Sequence, residues 1–306
     1  MPKFQLTTPV AFIIFNRPDI TAQVFSEIAR ARPTKLLVIS DGPRADRPGE
    51  ANIVAATREI IKQVDWECEV LTNYSEFNLG CKRRVSSGID WVFEQVEEAI
   101  ILEDDCLPDP SFFRFCQELL ERYRYDRRIG LISGDNFQFG NRRSDDSYYF
   151  SKYTHIWGWA SWRDRWSSSY DVSLKKWPLA RDEGWLADML GEKSEASYWR
   201  GIFERVYRGE IDTWDYQWVF ANWSEGWMSV TPSVNLISNI GFGGDATHTQ
   251  QNSIFADMNV EAIQYPLKHP QFMVRNTVAD FYTYKVMFSR PIWKRVASKI
   301  RSYLLK

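Results

Sequence analysis

Short apolar stretches alternate with amphipathic stretches along the first half of the chain. The apolar ones are VAFIIF (10–15), KLLVISDG (35–42), CEVLTNY (68–74) and AIILEDD (99–105). Uninterrupted aliphatic and β-branched residues of this length are typical of buried strands. Between them lie stretches with helical spacing: TAQVFSEIARA (21–31), ANIVAATREIIKQV (51–64) and RRVSSGIDWVFEQV (83–96). The pattern predicts repeated strand–helix–strand units.

Such units favour an α/β fold, a Rossmann-like and mostly parallel sheet flanked by helices. A helix over 110–124 and a further strand over 130–137 extend the series. Parallel sheets bind ligands beyond the carboxyl ends of their strands. Polar residues stand at three of these ends: Asn16-Arg17, Asp41-Gly42 and Glu103-Asp104-Asp105. We expect a binding site at this edge.

Tryptophan dominates the second half, where eleven of the fourteen in the chain lie between Trp157 and Trp227. Helical spacing over 197–209 and 214–223, then a strand and a glycine-rich loop over 227–249, continue the chain without repeats or a low-complexity linker. This half therefore reads as the acceptor side of the same domain. We expect core packing for most of the tryptophans and a wall for hydroxyl-rich ligands for the rest.

Composition narrows the class of protein. With 306 residues and a net charge of −2, both signs interspersed, the chain has no nucleic-acid footprint. Its four cysteines form no CxxC pair, which is typical of reduced thiols. The apolar N-terminal stretch is too short to span a bilayer and lacks the features of a secretory signal. We expect a cytoplasmic protein.

The C-terminal extension, residues 251–306, ends in a basic stretch. From Lys285 to Lys306 there are seven basic residues and no acidic ones, interleaved with apolar side chains. A basic amphipathic stretch suits peripheral contact with an anionic membrane surface. A terminal helix packed on the body, with a solvated basic face, fits the pattern equally well.

Three consecutive carboxylates, Glu103, Asp104 and Asp105, end the fourth predicted strand. Like charges this close repel, and burial disfavours their ionised forms further. Alternation along a strand sends Glu103 and Asp105 to one side and Asp104 to the other. Hard divalent cations prefer carboxylate oxygens and share coordination with phosphates. The cluster predicts a Mg²⁺ or Mn²⁺ site for a diphosphate; turn chemistry, the alternative, accounts for one Asp better than for three acids.

These stretches also carry a family resemblance over most of residues 8–250. NRP, SDG, FNLGCKRR and ILEDDCLPDPSFFRF follow in order, and WGWASWRDRW (157–166) and TWDYQW (213–218) come later. The chain resembles the GT-A-type nucleotide-sugar glycosyltransferases, especially the N-acetylglucosaminyltransferase I family and its bacterial relatives. The resemblance implies a GT-A-type domain over 1–250, with a nucleotide-binding half (about 1–135) and an acceptor half (about 136–250). Residues 138–156 have no counterpart in it.

Donor-site roles follow from the resemblance. It implies that Arg17 and Asp41 hold the nucleotide base and neighbouring donor groups, and that Asp105 is the metal ligand. Asp104 is implied to contact the ribose or a bridging water, and Glu103 the donor sugar. Asp-Gly turn chemistry remains open for Asp41.

Two cations and a glycine loop complete the donor-side candidates. Lys82, with Arg83 beside it, can reach a donor phosphate; an exposed helix start explains both residues equally well. His248 lies in GFGGDATHT (241–249), where glycines let backbone N–H groups approach a phosphate. His155 and His269 have no acidic motif beside them. His248 is therefore the best candidate among the three histidines to ligate a metal or to contact the diphosphate.

Asp215 aligns with the position that the family uses as general base. Inverting transfer needs a carboxylate opposite the leaving group, to take the acceptor's hydroxyl proton as its oxygen attacks C1. Trp214 and Trp218 flank Asp215, and an apolar setting raises the pKa of a carboxyl. A helix N-cap is the structural alternative, and Asp212 is a competing base.

The expected function is an inverting, Mn²⁺- or Mg²⁺-dependent glycosyltransferase. It would move a sugar from a UDP-sugar to a glycan or glycolipid acceptor in bacterial surface polysaccharide synthesis. A sugar-nucleotide nucleotidyltransferase is an alternative, but such enzymes usually have a glycine-rich phosphate loop just after the first strand. At that position this chain has FNRPDITAQ, which contains no glycine. A non-catalytic carbohydrate-binding module is another, and it would not need three acids at a strand end.

Overall fold

The computed structural model describes residues 4–242 and 254–289. Its strands are β1 (Val10–Ile14), β2 (Lys35–Ser40), β3 (Glu69–Tyr74), β4 (Glu98–Glu103), β5 (Cys106–Pro108), β6 (Ile129–Ser133), β7 (Tyr148–Ser151), β8 (Trp159–Trp162), β9 (Met228–Pro232) and β10 (Ile237–Asn239). Its α-helices are α1 (Pro18–Ala31), α2 (Glu50–Glu59), α3 (Gly80–Gln95), α4 (Ser111–Tyr123), α5 (Arg163–Ser169), α6 (Trp177–Asp182), α7 (Trp185–Leu190), α8 (Lys193–Tyr207), α9 (Asp215–Ser224) and α10 (Thr277–Thr283).

Eight strands form the central sheet, in the order β3-β2-β1-β4-β8-β6-β9-β7. The first four are parallel, with Phe12 opposite Val38 on β2 and Leu102 on β4. Strand β8 then pairs antiparallel with both β4 and β6. A separate antiparallel pair, β5 with β10, lies beyond the end of β4. The mixed α/β fold with a helix-flanked central sheet confirms the predicted fold class.

Helices cover both faces of the sheet. One apolar core packs α1 and α4 on the first face, and a second packs α3, α5 and α9 on the other. Strand order reverses at β1: the chain runs from β1 through β2 to β3 on one side and then returns to place β4 on the other side of β1. In open α/β sheets such a reversal leaves a crevice at the carboxyl ends, where ligands bind.

The tryptophans lie mainly in the core, as expected. Nine of the eleven between Trp157 and Trp227 are buried, and only Trp157 and Trp185 are intermediate. Trp159 stacks on Trp214 with ring centroids 5.9 Å apart, beneath the start of α9. These rings fill the space between the sheet and α9 and therefore fix where α9 begins.

Residues 254–289 pack on the body of the protein. The side chains of Ile263 and Leu267 join the first core, and Arg275 forms a β-bridge with Phe150 of β7. Helix α10 packs against β7 and runs into a π-helical turn at Tyr284–Phe288. Within the described residues, no helix is both long and apolar enough to cross a bilayer.

Candidate functional site

The carboxyl ends of β1 and β4 meet at the strand-order reversal. Arg17, in the loop after β1, directs its guanidinium at the acids that follow β4. Its Nη1 atom lies 3.0 Å from Oδ2 of Asp105 and 3.7 Å from Oδ1 of Asp104. All three side chains are largely withdrawn from solvent, with 12–20% of each exposed. The two predicted donor-site segments therefore form one site.

A turn directly after β4 determines how the three acids are arranged. The strand ends at Glu103, and Asp104 and Asp105 lie in the turn before β5. Strand alternation, which separated Asp104 from its neighbours, was therefore wrong: Arg17 reaches both aspartates. The prediction failed because alternation applies only while the backbone stays extended.

Carboxyl groups outnumber cationic side chains among the described residues of this cluster. Burial, and then the neighbouring charges of Asp105, Asp104 and Asp215, raise the pKa of Glu103 well above its usual range. Burial and Asp105 raise the pKa of Asp104 to about 7, although Arg17 opposes the shift. Among the residues that the structure describes, Arg17 is the one guanidinium that pairs with these acids, so a further cation would be stabilised here.

The second, smaller sheet brings glycine against Asp105. Ile240 N–H donates to the carbonyl oxygen of Asp105 at 2.9 Å, which continues the pairing of β10 with β5. A Cβ atom on Gly241 would lie 2.2 Å from Oδ2 of Asp105 and 2.7 Å from its Cβ. Only glycine fits beside this carboxylate without moving it. The remainder of the predicted glycine loop, including His248, lies outside the described residues.

Asp41, a predicted nucleotide contact, has a clear structural role. Its carboxylate accepts hydrogen bonds from the backbone N–H groups of Gly42, Leu79 and Gly80 at 2.9–3.1 Å and from Nδ2 of Asn78 at 3.0 Å. Burial nevertheless raises its pKa, with these donors opposing the shift. Asp41 thus ties the end of β2 to the start of α3. The turn chemistry is present, and the nucleotide contact stays a prediction.

Asp215 is the first residue of α9, whereas the N-cap is Trp214, so Asp215 is not itself the N-cap. The Thr213 hydroxyl donates to its Oδ1. Trp214 and Trp218, which flank it in the sequence, are both buried. Its charge acts on Glu103, which places residues 112 positions apart in one electrostatic neighbourhood.

Lys82 and Arg83 occupy the first turn of α3. Both line a cleft of about 370 Å³ that Asp212 and Ser173 also line. In the described ranges neither cation forms a salt bridge, although a carboxylate borders the same cleft. Asp212 also approaches Gly80, where an added Cβ would lie 3.1 Å from its Oδ2. The phosphate contact of Lys82 stays a prediction.

Sequence reasoning missed a buried carboxylate, Asp135, just after β6. Its Oδ1 lies 2.6 Å from the Ser133 hydroxyl, and its Oδ2 accepts from the Trp157 backbone N–H at 3.2 Å. Burial raises its pKa to about 7. The Ser133 hydroxyl also lies 2.9 Å from the His155 carbonyl oxygen, and a hydroxyl has a single hydrogen to donate. The Ser133 hydroxyl therefore has two acceptors within reach, the Asp135 carboxyl and the His155 carbonyl oxygen, and one hydrogen for them.

The signal for Asp135 was available in the sequence. Like the acids after β4, it directly follows an apolar strand, in GLISGDNF (130–137). Its partner Trp157 is the half-buried tryptophan whose ring faces Phe242 at 5.8 Å, immediately after Gly241. This aromatic pair stands next to the glycine that contacts Asp105.

The acid cluster offers oxygen donors suited to a hard divalent cation. In residues 4–242 and 254–289, no three His, Cys, Asp or Glu side chains are arranged as a complete metal-binding group. A cation here would need oxygens from a ligand as well as from the protein. The excess of carboxyl groups over Arg17 and the fixed position of Asp105 both fit such shared coordination.

The solved structures to which this chain is similar include several distant nucleotide-sugar enzymes. No family model and no curated protein matches the sequence. A mannosyltransferase from Pyrobaculum calidifontis, in complex with GDP-Man and Mn²⁺, aligns with 72% of this chain and 71% of its own, at a TM-score of 0.41 and 11% identity. A cytidylyltransferase from Leptospira borgpetersenii aligns with 53% of this chain and 63% of its own, at a TM-score of 0.33 and 13% identity.

A UDP-glucose pyrophosphorylase complexed with UDP-glucose aligns with 47% of this chain and 62% of its own, at a TM-score of 0.26 and 12% identity. The neighbours are thus a glycosyltransferase and nucleotidyltransferases. At TM-scores this low, the likenesses assign neither an activity nor a substrate to this chain.

Proposed function

We propose that this chain is an inverting, metal-dependent glycosyltransferase. It moves a sugar from a nucleotide sugar, a UDP-sugar in our proposal, to a glycan or glycolipid acceptor of bacterial surface polysaccharide. One observation supports the proposal: Arg17 joins the ends of β1 and β4 at Asp104 and Asp105, and the charge of Asp215 at the start of α9 adds to the raised pKa of Glu103. Free cysteines throughout favour a reducing compartment, the cytoplasm.

The acids after β4 and the cations around them bind the donor. Asp105 holds Mn²⁺ or Mg²⁺, with Asp104 as the second oxygen donor or as a ribose contact. The metal, when bound, neutralises charge that develops on the leaving diphosphate. Arg17 stands next to this position and orients the donor, and Lys82, in the first turn of α3, contacts a donor phosphate. Glu103 contacts the donor sugar.

Asp215 activates the acceptor. As the acceptor oxygen attacks C1 of the donor sugar, the O–H bond breaks and Asp215 takes the proton. The bond from C1 to the diphosphate breaks on the opposite face, and the nucleoside diphosphate leaves with the bonding electron pair. The Thr213 hydroxyl, which donates to Asp215, holds the carboxylate in one orientation.

The test is release of free nucleotide from a panel of UDP- and GDP-sugars, with a glycolipid extract as acceptor and with Mn²⁺ or EDTA. We expect Mn²⁺-dependent, acceptor-stimulated release by the wild type and none by Asp105→Asn. Asp188→Asn removes an exposed carboxylate from α7 and is the matched control, with unchanged activity.

Other activities give different results in the same experiment. A nucleotidyltransferase would release pyrophosphate from a nucleoside triphosphate and a sugar 1-phosphate, and would leave the nucleotide sugars intact. A carbohydrate-binding module would bind the glycan and turn over neither. Either result contradicts the proposal.

A further inference from the structure

Four large apolar side chains are exposed within ten residues near the C-terminal end of the described chain. Phe272, Val274, Val278 and Phe281 have 76%, 69%, 63% and 56% of their surface exposed. We call these four residues the C-terminal apolar patch. Single exposed apolar residues are ordinary on protein surfaces, whereas a concentration of them marks an interaction site.

Local geometry explains why these side chains point outward. In the extended segment before α10, the intervening Met273 packs against the first core, so its neighbours Phe272 and Val274 face away from it. Within α10, Ala279 and Asp280 are buried. Val278 and Phe281 are three residues apart and share the opposite, outer face of the helix.

Polar contacts hold this segment firmly in place. Asn276 caps α10 by accepting from the Ala279 N–H at 2.9 Å. Asp280 accepts from the Ser151 hydroxyl at 2.6 Å and pairs with Arg275 at 3.1 Å. Nε2 of Gln138 donates to the Thr283 hydroxyl at 2.9 Å. The exposure of the patch is therefore built into the fold rather than produced by a frayed helix end.

Basic residues predominate in this part of the sequence. From Ala262 to Ser289 the chain has three of them, Lys268, Arg275 and Lys285, and a single acidic residue, Asp280, which is buried and paired with Arg275. Six more basic residues and no acidic ones follow over 290–306, which lie outside the described residues. The exposed Lys285 places its ammonium 4.9 Å from the ring centre of Phe281. Apolar side chains rimmed by cations match a bilayer surface, where acyl chains lie beneath anionic headgroups.

We propose that the C-terminal apolar patch docks on the surface of an anionic bilayer. The side chains of the patch enter the headgroup region, and Lys285 contacts the anionic headgroups. A second copy of the chain fits less well, because two such patches would bring like charges together. This inference does not depend on the proposed glycosyltransferase activity.

The test is co-sedimentation of the full-length chain with vesicles of phosphatidylcholine alone, or with about one third phosphatidylglycerol. We expect binding to the anionic vesicles that weakens at high salt. The double variant Val278→Ser/Phe281→Ser should bind at least about tenfold more weakly, because it removes apolar area and keeps every charge. Tyr125→Ser, which changes a side chain that is 90% exposed elsewhere, is the control and should bind like the wild type.

Two results would overturn the proposal. One is failure of the wild type to bind anionic vesicles, and the other is equal binding by the double variant, which would assign any attraction to the basic tail alone. Light scattering on the wild type and on the double variant tests whether a second copy of the chain occupies the patch instead. If the double variant converts a dimer to a monomer without changing vesicle binding, the patch is an interface between two copies.

Discussion

Arg17 and Asp105 lie 88 positions apart in the chain, and Nη1 of Arg17 is 3.0 Å from Oδ2 of Asp105. The contact joins the loop after β1 to the turn after β4, where the strand order reverses. It provides one positive charge for Glu103, Asp104 and Asp105 together. The excess of carboxyl groups over positive charge is the basis of the proposed metal site.

Removing the Arg17 guanidinium should show how much its positive charge stabilises the three acids. We expect Arg17→Ala to lower the free energy of unfolding by about 1–3 kcal/mol, because it leaves poorly solvated carboxylates without a partner. Arg17→Lys keeps the charge and should recover part of the loss. Urea denaturation measures both, and Mn²⁺ should stabilise Arg17→Ala more than it stabilises the wild type. An Arg17→Ala protein as stable as the wild type would contradict this account of the cluster.

Gly241 tests how closely the position of Asp105 is controlled. In Gly241→Ala the new methyl group must displace the Asp105 side chain, which it would otherwise approach to 2.2 Å. We expect a loss of about 1–3 kcal/mol in stability and markedly weaker metal-dependent nucleotide binding. The matched control is Gly201→Ala within α8, where an added Cβ meets nothing within 4 Å.

Alanine is the better helix former, so Gly201→Ala should leave binding unchanged and stabilise the protein by about 0.5–1 kcal/mol. If both variants bind nucleotide like the wild type, the contact between Gly241 and Asp105 has no role in the site.

Asp215 and Asp212 compete for the role of general base. Asp215→Asn keeps the shape and the Thr213 contact but cannot accept a proton, so we expect kcat to fall about 10²–10⁴-fold with nucleotide affinity unchanged. Asp212→Asn should lower kcat less than about tenfold. Steady-state kinetics with the cognate donor measure both. The reverse ranking would move the base to Asp212.

Asp135 should make stability depend on pH. Its pKa is about 7 in the folded protein, against about 3.9 for an unfolded chain, so folding takes up a proton between these values. Its contribution to stability is complete below about pH 4 and is lost as the pH rises towards 7. Asp135→Asn should flatten this decline, by up to about 1.4 kcal/mol per pH unit. Urea denaturation from pH 4 to 8 gives the slopes, and equal slopes would contradict the protonated state.

The sheet was predictable where apolar runs are continuous. VAFIIF (10–15), KLLVISDG (35–42) and AIILEDD (99–105) became β1, β2 and β4, because strands buried on both faces need aliphatic residues throughout. Strands β7 and β8 were missed. Their sequences, YYFS and WASW, mix aromatic and polar residues without a run long enough to separate strand from core helix.

The site was predictable only in part. Acids at strand ends can be found from sequence, and Arg17, Asp104 and Asp105 do meet in the fold. The turn that brings both aspartates to one guanidinium could not be predicted, nor could the approach of Gly241. Both depend on the pairing of β5 with β10, a tertiary contact between segments more than 120 residues apart.

Calorimetric titration with UDP, with and without Mn²⁺, is the most direct test of the central claim that the acids after β4 bind a nucleotide diphosphate through a metal. We predict UDP binding that requires Mn²⁺ in the wild type, is abolished in a folded Asp105→Asn protein, and persists in Asp188→Asn. If UDP, GDP and CMP all fail to bind the wild type with any divalent metal, the acids have a structural role and the proposed function is wrong.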